Sequence, residues 1–250
     1  MSIGSALSIE EAPISTMIVN QLMARAQVLT LSPTARTLRR RHLTYLVPAR
    51  LKNIEWAVEE VKANNVAGSF LETGLALGGS GILIATHLDG DREFHGYDVF
   101  GQIPAPGERD PEAVHERYEV ITSGASKGLG GEEYYGYRPD LYEDVRASFA
   151  EFGVPVDGAR IHLHKGLFEE TLELDGPVAF AHIDCDWYEP VKLTLERIYK
   201  WLEPNGIIIC DDYYDYGGAQ EAVDEFCAAN PELKKVEDRS GSHLVLQRLA

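Results

Sequence analysis

The chain has 250 residues, which is enough to fold around a sizeable core. Of these residues, 44% are hydrophobic and 25% are charged, a composition that excludes a disordered chain, a collagen and a coiled-coil rod. Its 40 acidic and 23 basic residues give a formal net charge of −17. A charge this negative disfavours nucleic acid and anionic membranes as partners, because both would repel it at long range.

The sequence also lacks the signals of membrane insertion, secretion and disulfide bonding. No apolar run approaches the roughly 18 residues that cross a bilayer, and the first residues contain neither the basic nor the apolar segment of a secretory signal. The three cysteines, Cys185, Cys210 and Cys227, form neither a disulfide framework nor a paired metal-binding motif. We therefore expect a soluble, cytoplasmic protein with reduced thiols.

The N-terminal part of the chain, residues 1–66, is predicted to be a helical extension that caps the protein or forms contacts between subunits. Across residues 51–64, apolar side chains recur at the spacing of an amphipathic helix, at Leu51, Ile54, Val58 and Val61. The basic stretch Arg36–Tyr45 fits a solvated helix face, a cap over a pocket or a subunit contact.

Residues 67–250 are predicted to form one α/β domain. Short apolar runs, typical of buried strands, occur at residues 68–71, 94–97, 160–164, 178–183 and 206–210. Helical segments lie between them, near residues 79–88, 139–152, 189–202 and 217–229. This alternation predicts βαβ units and a Rossmann-like, mostly parallel sheet. Residues 234–237 and 243–247 predict a closing antiparallel hairpin with its turn at residues 238–242.

A long irregular region, about residues 100–138, is predicted to be a lid over the site, because loops of this length within a compact domain are usually functional or disordered. It is rich in glycine and proline, and its tyrosines could form an aromatic wall for a sugar or ring. The tyrosines in question are Tyr134, Tyr135 and Tyr137, together with Tyr213, Tyr214 and Tyr216 further along the chain. Packing in the core or the lid is the equal alternative.

Ligands of open α/β sheets bind where the strands end, so the residues after each predicted strand form the candidate site. The first strand is followed by a glycine-rich turn, Glu72–Gly81, although Ala76 interrupts the dinucleotide-binding pattern G-x-G-x-x-G. The second strand ends at Asp98, where an acid can accept hydrogen bonds from ribose hydroxyls.

Acidic side chains follow two later strands. Asp184 and Asp186 end one apolar run, and Asp211 and Asp212 end another. If the two strands are neighbours, Asp184, Asp211 and Asp212 converge, and a hard divalent cation such as Mg²⁺ would neutralise them. Asp186 would then face a bound hydroxyl and take its proton. The alternative is that some of these acids cap the helices that follow.

Other candidate ligands are interpreted as structural. Cys185 and Cys210 are expected to be buried packing residues, because thiols do not suit a site for a hard metal ion. His162, His164 and His182 alternate along predicted strands, and only His182 is expected to lie near the acidic residues.

Four motifs occur in order between residues 68 and 226. They are a glycine-rich loop at residues 72–79, D-x-F at 98–100, G-x-F-x-x-T-L at 166–172, and a D-x-D-x-Y, L-x-P-x-G and D-D-Y series at 184–213. This set resembles the macrocin O-methyltransferase family, whose members are class I, S-adenosylmethionine-dependent enzymes that methylate sugar hydroxyls of natural products. Asn205 stands where the family has the first glycine of L-x-P-G-G.

The resemblance implies a class I methyltransferase fold and a role for each motif. Asp184, Asp211 and Asp212 would bind Mg²⁺, and Asp186 would be the general base. S-adenosylmethionine would be held by Glu72, Thr73, Gly74, Gly78, Gly79, Ser80, Asp98, Gly166 and Phe168. In that set, Asp98 would bind the ribose hydroxyls, and the last two residues would border the adenine.

The implied reaction is methyl transfer from S-adenosylmethionine to a sugar hydroxyl of a small glycosylated acceptor, catalysed by a homo-oligomer. The main alternative is a metal-dependent glycosyltransferase that uses D-x-D to hold a nucleotide sugar. A non-catalytic Rossmann-like binding protein and a dehydrogenase are weaker alternatives, because the acidic residues are all present and the glycine pattern is interrupted. The acceptor, the hydroxyl methylated and the choice among Mg²⁺, Mn²⁺ and Ca²⁺ are left open.

Overall fold

The computed structural model describes residues 28–236 and 243–249. The strands in these ranges are β1 (Ser69–Thr73), β2 (Phe94–Asp98), β3 (Ile161–Lys165), β4 (Val178–Ile183), β5 (Leu202–Cys210), β6 (Leu233–Val236) and β7 (Leu244–Arg248). The helices are α1 (Pro33–Arg40), α2 (Pro48–Ala63), α3 (Gly79–Ala85), α4 (Glu112–Thr122), α5 (Leu141–Glu151), α6 (Phe168–Thr171), α7 (Tyr188–Tyr199) and α8 (Gly217–Ala229). None of the helices in the described ranges is long and apolar enough to cross a lipid bilayer.

The strands form one sheet in the order β3-β2-β1-β4-β5-β7-β6. Strands β1 to β5 are parallel, and β7 runs antiparallel to its neighbours β5 and β6. The structure therefore confirms the predicted mostly parallel sheet and its antiparallel C-terminal hairpin, whose predicted turn at residues 238–242 lies outside the described residues. The connections change direction between β1 and β4, so the carboxyl ends of these strands border a crevice.

Helices cover both faces of the sheet, and each face has its own hydrophobic cluster. On one face, Phe70 and Phe180 pack in a cluster with Ile54 of α2. On the other, Leu71 packs in a cluster with Leu195 of α7. Helix α2 confirms the predicted amphipathic helix and lies in the core layer against the sheet. Of the predicted helical extension at residues 1–66, the first 27 residues lie outside the described part of the chain.

The start of β5 differs from the sequence prediction. The helix predicted to reach residue 202 ends at Tyr199, and β5 already begins at Leu202. The chain turns at Asn205, whose φ is 65°. Asparagine tolerates this left-handed conformation better than most residues, so it can replace the glycine of the resembled motif without changing the turn.

The region predicted to be an irregular lid is partly helical, which corrects that prediction. It contains α4 and two 3₁₀ turns, Leu129–Gly131 and Tyr135–Tyr137. Glycine and proline at both ends of the region are typical of a loop, so the sequence pattern did not indicate the helix. Val114 and Ile121 of α4, seven residues apart and hence on one face, are the side chains it buries.

Candidate active site

A cavity of about 660 Å³ lies at the carboxyl ends of the parallel strands. Four neighbouring strands each place a predicted site residue in its wall: Gly74 after β1, Asp98 at the end of β2, Asp184 after β4 and Asp211 after β5. The volume lies within the range of small-molecule sites. The cavity therefore occupies the position where open α/β sheets bind their ligands.

Three carboxylates meet on one side of this cavity. Oxygens of Asp184, Asp211 and Asp212 all lie within 4.8 Å of one another. The reason is that β4 and β5 are adjacent and parallel, with Ile183 paired to Cys210, so the acids that follow them leave the sheet side by side. The two sequence segments are brought together as the sequence analysis expected.

The electrostatics of this group are unfavourable for negative charge. Burial and the charge of Asp211 raise the pKa of Asp184 well above its usual value. Burial, with the charges of Asp186 and Asp184, does the same to the pKa of Asp212. A cation bound among these oxygens would remove that penalty.

Asp211 is the exception, because cationic and hydrogen-bonding side chains surround it. Its Oδ1 lies 3.5 Å from Nε2 of His182 and 3.2 Å from Nδ1 of His243, and Arg50 of α2 pairs with its other oxygen. Although burial opposes ionisation, His182, His243 and Arg50 hold the pKa of Asp211 well below its usual value. His182 also contacts Oε1 of Glu72 at 2.8 Å. Asp211 is thus connected through His182 to a second buried carboxylate.

Sequence reasoning missed Arg50. It lies on α2, pairs with Asp211 and Asp215, and lines the cavity. No sequence motif marks it, since an arginine on an amphipathic helix is usually a surface residue.

Asp186 lies beside the three carboxylates and lines the cavity. Its backbone N–H donates to Oδ2 of Asp212 at 2.9 Å, and its φ is 60°, an uncommon value outside glycine. With this φ, the backbone at Asp186 no longer follows the extended path of β4. Burial and the charge of Asp211 raise the pKa of Asp186 to about 7, so the side chain exchanges protons near neutral pH.

Asp98 organises the glycine-rich turn. Its carboxylate accepts backbone hydrogen bonds from Leu75 at 2.7 Å, Ala76 at 3.0 Å and Phe100 at 2.6 Å. Burial raises its pKa even against these bonds. Gly74 passes so close to β4 that a Cβ would lie 1.7 Å from the carbonyl oxygen of Asp184, and its φ of 89° also favours glycine. The turn thus joins the acid on β2 to the acid on β4.

The other predicted cofactor residues of the turn lie behind this wall and are absent from the cavity lining in the described chain. Glu72 and Thr73 are fully buried. A Cβ on Gly78 would meet Val145 of α5, and a Cβ on Gly79 would meet the carbonyl oxygen of Leu43. Gly78, Gly79 and the buried Ser80 therefore pack the start of α3 against neighbouring segments.

Of the two residues predicted to border the adenine, one lines the cavity and the other does not. Phe168, the first residue of α6, lines the cavity. Gly166 does not, but it connects to the site because its N–H donates to the carbonyl of Asp98 at 3.0 Å. Its φ of 150° keeps that connection in a conformation that favours glycine.

Aromatic side chains also line the cavity. Of the six tyrosines considered as a wall, Tyr134, Tyr135 and Tyr216 line it. Tyr137 instead donates its hydroxyl to the carbonyl of Ile121, Tyr213 bonds Asp224 and Tyr214 is largely exposed. Tyr45 and Trp187, which sequence reasoning did not assign to the wall, complete it.

Comparison with known proteins identifies the family. Residues 33–238 match the family described as macrocin-O-methyltransferase (TylF). The chain belongs to the macrocin O-methyltransferase family. This confirms the resemblance drawn from the motifs, and the family match includes the glycine-rich turn, the segment from α4 to Tyr137 and the four aspartates that follow β4 and β5.

This chain is similar to two proteins from Streptomyces. It is 32% identical over 170 residues to 8-demethyl-8-(2,3-dimethoxy-alpha-L-rhamnosyl)-tetracenomycin-C 4'-O-methyltransferase of Streptomyces olivaceus, covering 66% of this chain and 60% of that protein. It is 30% identical over 191 residues to demethyldecarbamoylnovobiocin O-methyltransferase of Streptomyces niveus, covering 72% of this chain and 65% of that protein. The chain thus spans less than two thirds of the length of either relative.

Among solved structures, the O-methyltransferase NovP is similar to this macrocin O-methyltransferase family member. The two share 29% sequence identity and a TM-score of 0.66, over 83% of this chain and 82% of NovP. The agreement confirms the predicted class I methyltransferase fold.

Proposed function

We propose that the protein transfers a methyl group from S-adenosylmethionine to a sugar hydroxyl of a glycosylated small molecule, with a divalent cation bound at the active site. The observation that carries this proposal is the meeting of Asp184, Asp211 and Asp212 in the cavity that also contains Asp98 and Asp186. The two Streptomyces relatives support the substrate class, since one is named for a rhamnosyl-tetracenomycin and the other for a novobiocin precursor.

The residues fit a divalent cation. Three carboxylates supply oxygen ligands of the kind that Mg²⁺ prefers. The raised pKa values of Asp184 and Asp212 indicate that their negative charges lack sufficient compensation from the protein itself. Asp184, Asp211 and Asp212 would therefore hold the ion, with His182 and His243 orienting Asp211 from behind.

The residues also fit S-adenosylmethionine. Asp98 closes β2 in the cavity wall, where its carboxylate can accept hydrogen bonds from ribose hydroxyls while it holds the turn. Gly74 allows the turn to pass close to Asp184, and Phe168 offers an aromatic surface for the adenine. The other six predicted cofactor residues would act indirectly, by fixing the turn and the start of α3. They are Glu72, Thr73, Gly78, Gly79, Ser80 and Gly166.

When bound, the cofactor supplies the methyl group and the cation makes the acceptor hydroxyl more acidic. Asp186 then accepts the hydroxyl proton. Its pKa near 7 suits this role, because a general base works best when its pKa is close to the operating pH. Hydrogen bonding of its N–H to Asp212 fixes the base beside the cation ligands. The aromatic wall excludes water and would contact the acceptor.

Titration calorimetry with S-adenosylhomocysteine, with and without Mg²⁺, tests the proposal. We expect micromolar binding, which weakens in Asp98→Asn but not in Asp175→Asn, an acid outside the cavity lining. A parallel titration with UDP-glucose and Mn²⁺ tests the glycosyltransferase alternative. Binding of UDP-glucose without binding of S-adenosylhomocysteine would contradict the methyltransferase assignment.

A further inference from the structure

A group of histidines lies on the outer strands of the sheet, outside the cavity. Strands β2 and β3 pair in parallel with His95 opposite His162 and Tyr97 opposite His164. The three imidazole rings therefore project from one face of the sheet, and Glu93 lies at the start of the same row. Three of the eight histidines of the chain are gathered there.

The distances within this group match those of a metal site. Oε2 of Glu93 lies 3.1 Å from Nε2 of His95 and 3.3 Å from Nε2 of His162. Zn²⁺ binds imidazole nitrogen and carboxylate oxygen at about 2.0–2.2 Å, so neighbouring ligands of a tetrahedral site are roughly 3.3–3.5 Å apart. All three ligand atoms lie within 4.8 Å of one another. The rings of His95 and His162 stack with their centroids 4.5 Å apart, so one ion can reach the three atoms once these two rings turn about their side-chain bonds.

His164 contacts His95 and would fix the orientation of that ring without binding the ion itself. Its Nε2 lies 3.1 Å from Nδ1 of His95. When Nδ1–H of His95 donates to His164, the lone pair of Nε2 is directed toward Glu93. Ligand histidines in metal sites are commonly fixed in this way through their second nitrogen.

Within the described residues, the buried Nε2 of His162 makes no hydrogen bond of good geometry, although the Glu93 carboxylate is close. A buried polar atom without such a bond is uncommon and calls for a partner.

We propose that Glu93, His95 and His162 form a binding site for a divalent transition-metal ion, best matched by Zn²⁺. Two imidazoles and one carboxylate favour Zn²⁺, Ni²⁺ or Cu²⁺ over Mg²⁺, which prefers oxygen ligands. The site is distinct from the carboxylate group of the cavity. His95 precedes Asp98 by three residues of β2, which is about 10 Å along an extended strand.

The position of the site gives the ion a structural role. In the part of the chain that the structure describes, β3 is the last strand on its side of the sheet, with β2 as its neighbour. An ion held by His95 and His162 connects the two strands across their hydrogen bonds. An ion that binds the folded state more tightly than the unfolded chain increases the free energy of unfolding, by an amount that grows with the logarithm of the ion's concentration.

Competition for Zn²⁺ with a chromophoric chelator tests the site. The full-length protein is titrated in saturating Mg²⁺, which keeps the cavity carboxylates occupied. We expect the wild type to bind one more Zn²⁺ than Glu93→Gln does, and His162→Gln to weaken that site at least tenfold. The matched control is His87→Gln, because His87 also contacts a carboxylate, Glu59 at 2.8 Å, yet lies outside the group. Equal Zn²⁺ binding by the wild type and Glu93→Gln would overturn the proposal.

Electron paramagnetic resonance of bound Cu²⁺ provides a second readout. We expect coupling to two imidazole nitrogens in the wild type and to one in His162→Gln. Coupling unchanged by both His95→Gln and His162→Gln would overturn the assignment. Glu93 has a side chain that is 43% exposed, so Glu93→Gln should fold normally and retain methyl transfer in Mg²⁺. That retention separates a failure at this site from a failure of the proposed function.

Discussion

At the scale of single residues, Asp186 has the most direct chemical role in the proposed reaction. Asp186→Asn removes the proton acceptor, and asparagine tolerates the positive φ of this position, so the backbone should not move. We expect turnover to fall by about 10²–10⁴-fold while the affinity for S-adenosylhomocysteine is unchanged. Initial rates and calorimetry measure the two effects, with the exposed Asp140→Asn as the control. Full activity of Asp186→Asn would show that another group is the base.

Arg50 is expected to neutralise Asp211 before the cation binds. Arg50→Gln removes the guanidinium from a largely buried ion pair, at a cost of about 3 kcal/mol in the free energy of unfolding. This is the lower end of the range for such pairs, because Asp211 retains His182 and His243. Loss of a nearby positive charge should also increase the affinity for Mg²⁺.

Urea unfolding in EDTA and calorimetry with Mg²⁺ test these two effects of Arg50. The control is Arg146→Gln, which breaks an exposed pair with Glu143 and should change stability by less than about 1 kcal/mol. A variant at position 50 that binds Mg²⁺ more weakly than the wild type would contradict this role.

The sequence predicted the acids of the site, with His182 near them, but did not predict Arg50 or His243. Asp184, Asp186, Asp211 and Asp212 could be found because each follows an apolar strand, and parallel strands end at one edge. Arg50 could not be found, since it lies on a helix and is 161 residues before Asp211 in the chain. The pairing of His95 with His162 likewise depends on the strand register, which the sequence pattern does not specify.

At the scale of elements, the turn after β1 depends on Gly74. Gly74→Ala adds a Cβ that would meet the carbonyl oxygen of Asp184, so Asp184 must move away from the cation site. Gly153→Ala is a matched control, because Gly153 has a similar φ of 77° but open space around it. We expect both variants to lose about 1–2 kcal/mol through backbone strain, Gly74→Ala to lose more because of the added clash, and only Gly74→Ala to lose Mg²⁺-dependent activity. Equal activities of the two variants would contradict this coupling.

The segment between β2 and α5 is held over the cavity by Trp187. The indole N–H of Trp187 donates to the carbonyl of Pro104 at 3.0 Å, and the ring lies edge-on to Tyr216. Trp187→Phe retains the ring packing but loses the hydrogen bond, which stabilises the fold by about 0.5–1.5 kcal/mol. We expect the KM for the acceptor to rise while the affinity for S-adenosylhomocysteine is retained. Trp201→Phe, at an exposed indole, should change neither, and an unchanged acceptor KM in Trp187→Phe would contradict the role of this bond.

Elements were predicted best where one period dominates. The buried strands and α2 follow from their apolar patterns, and the mostly parallel sheet follows from the alternation of strands and helices. Helix α4 was missed because the glycine and proline around it resemble a loop, and Val114 and Ile121 give a weak helical signal by themselves. The end of α7 was misplaced because the apolar residues continue into β5.

At the scale of the whole molecule, the negative cavity should link stability to pH in the metal-free protein. Burial raises the pKa values of Asp184 and Asp212, so the folded state binds protons that the unfolded state releases. Although burial opposes its charge, hydrogen bonds with Asp211 and Glu72 raise the pKa of His182 from 6.5 to about 10, which acts in the same direction. The low pKa of Asp211 has the opposite effect only in acid.

The free energy of unfolding in EDTA should therefore fall as the pH rises from 6 towards 10. Saturating Mg²⁺ should reduce this slope, because the cation replaces the protons that the carboxylates release. Urea unfolding at several pH values, with and without Mg²⁺, measures the slope. Stability that increases with pH in EDTA would show that the cavity carboxylates and His182 do not titrate as their surroundings imply.

The most direct test of the central claim is calorimetric titration of Mg²⁺ into the protein saturated with S-adenosylhomocysteine. It requires no knowledge of the acceptor, and it examines the carboxylate group and the cofactor together. We expect one Mg²⁺ to bind the wild type, a large loss of affinity in Asp211→Asn, and unchanged binding in the exposed Asp140→Asn. No binding to the wild type, or equal binding by Asp211→Asn, would contradict the claim that these carboxylates hold a cation beside the cofactor.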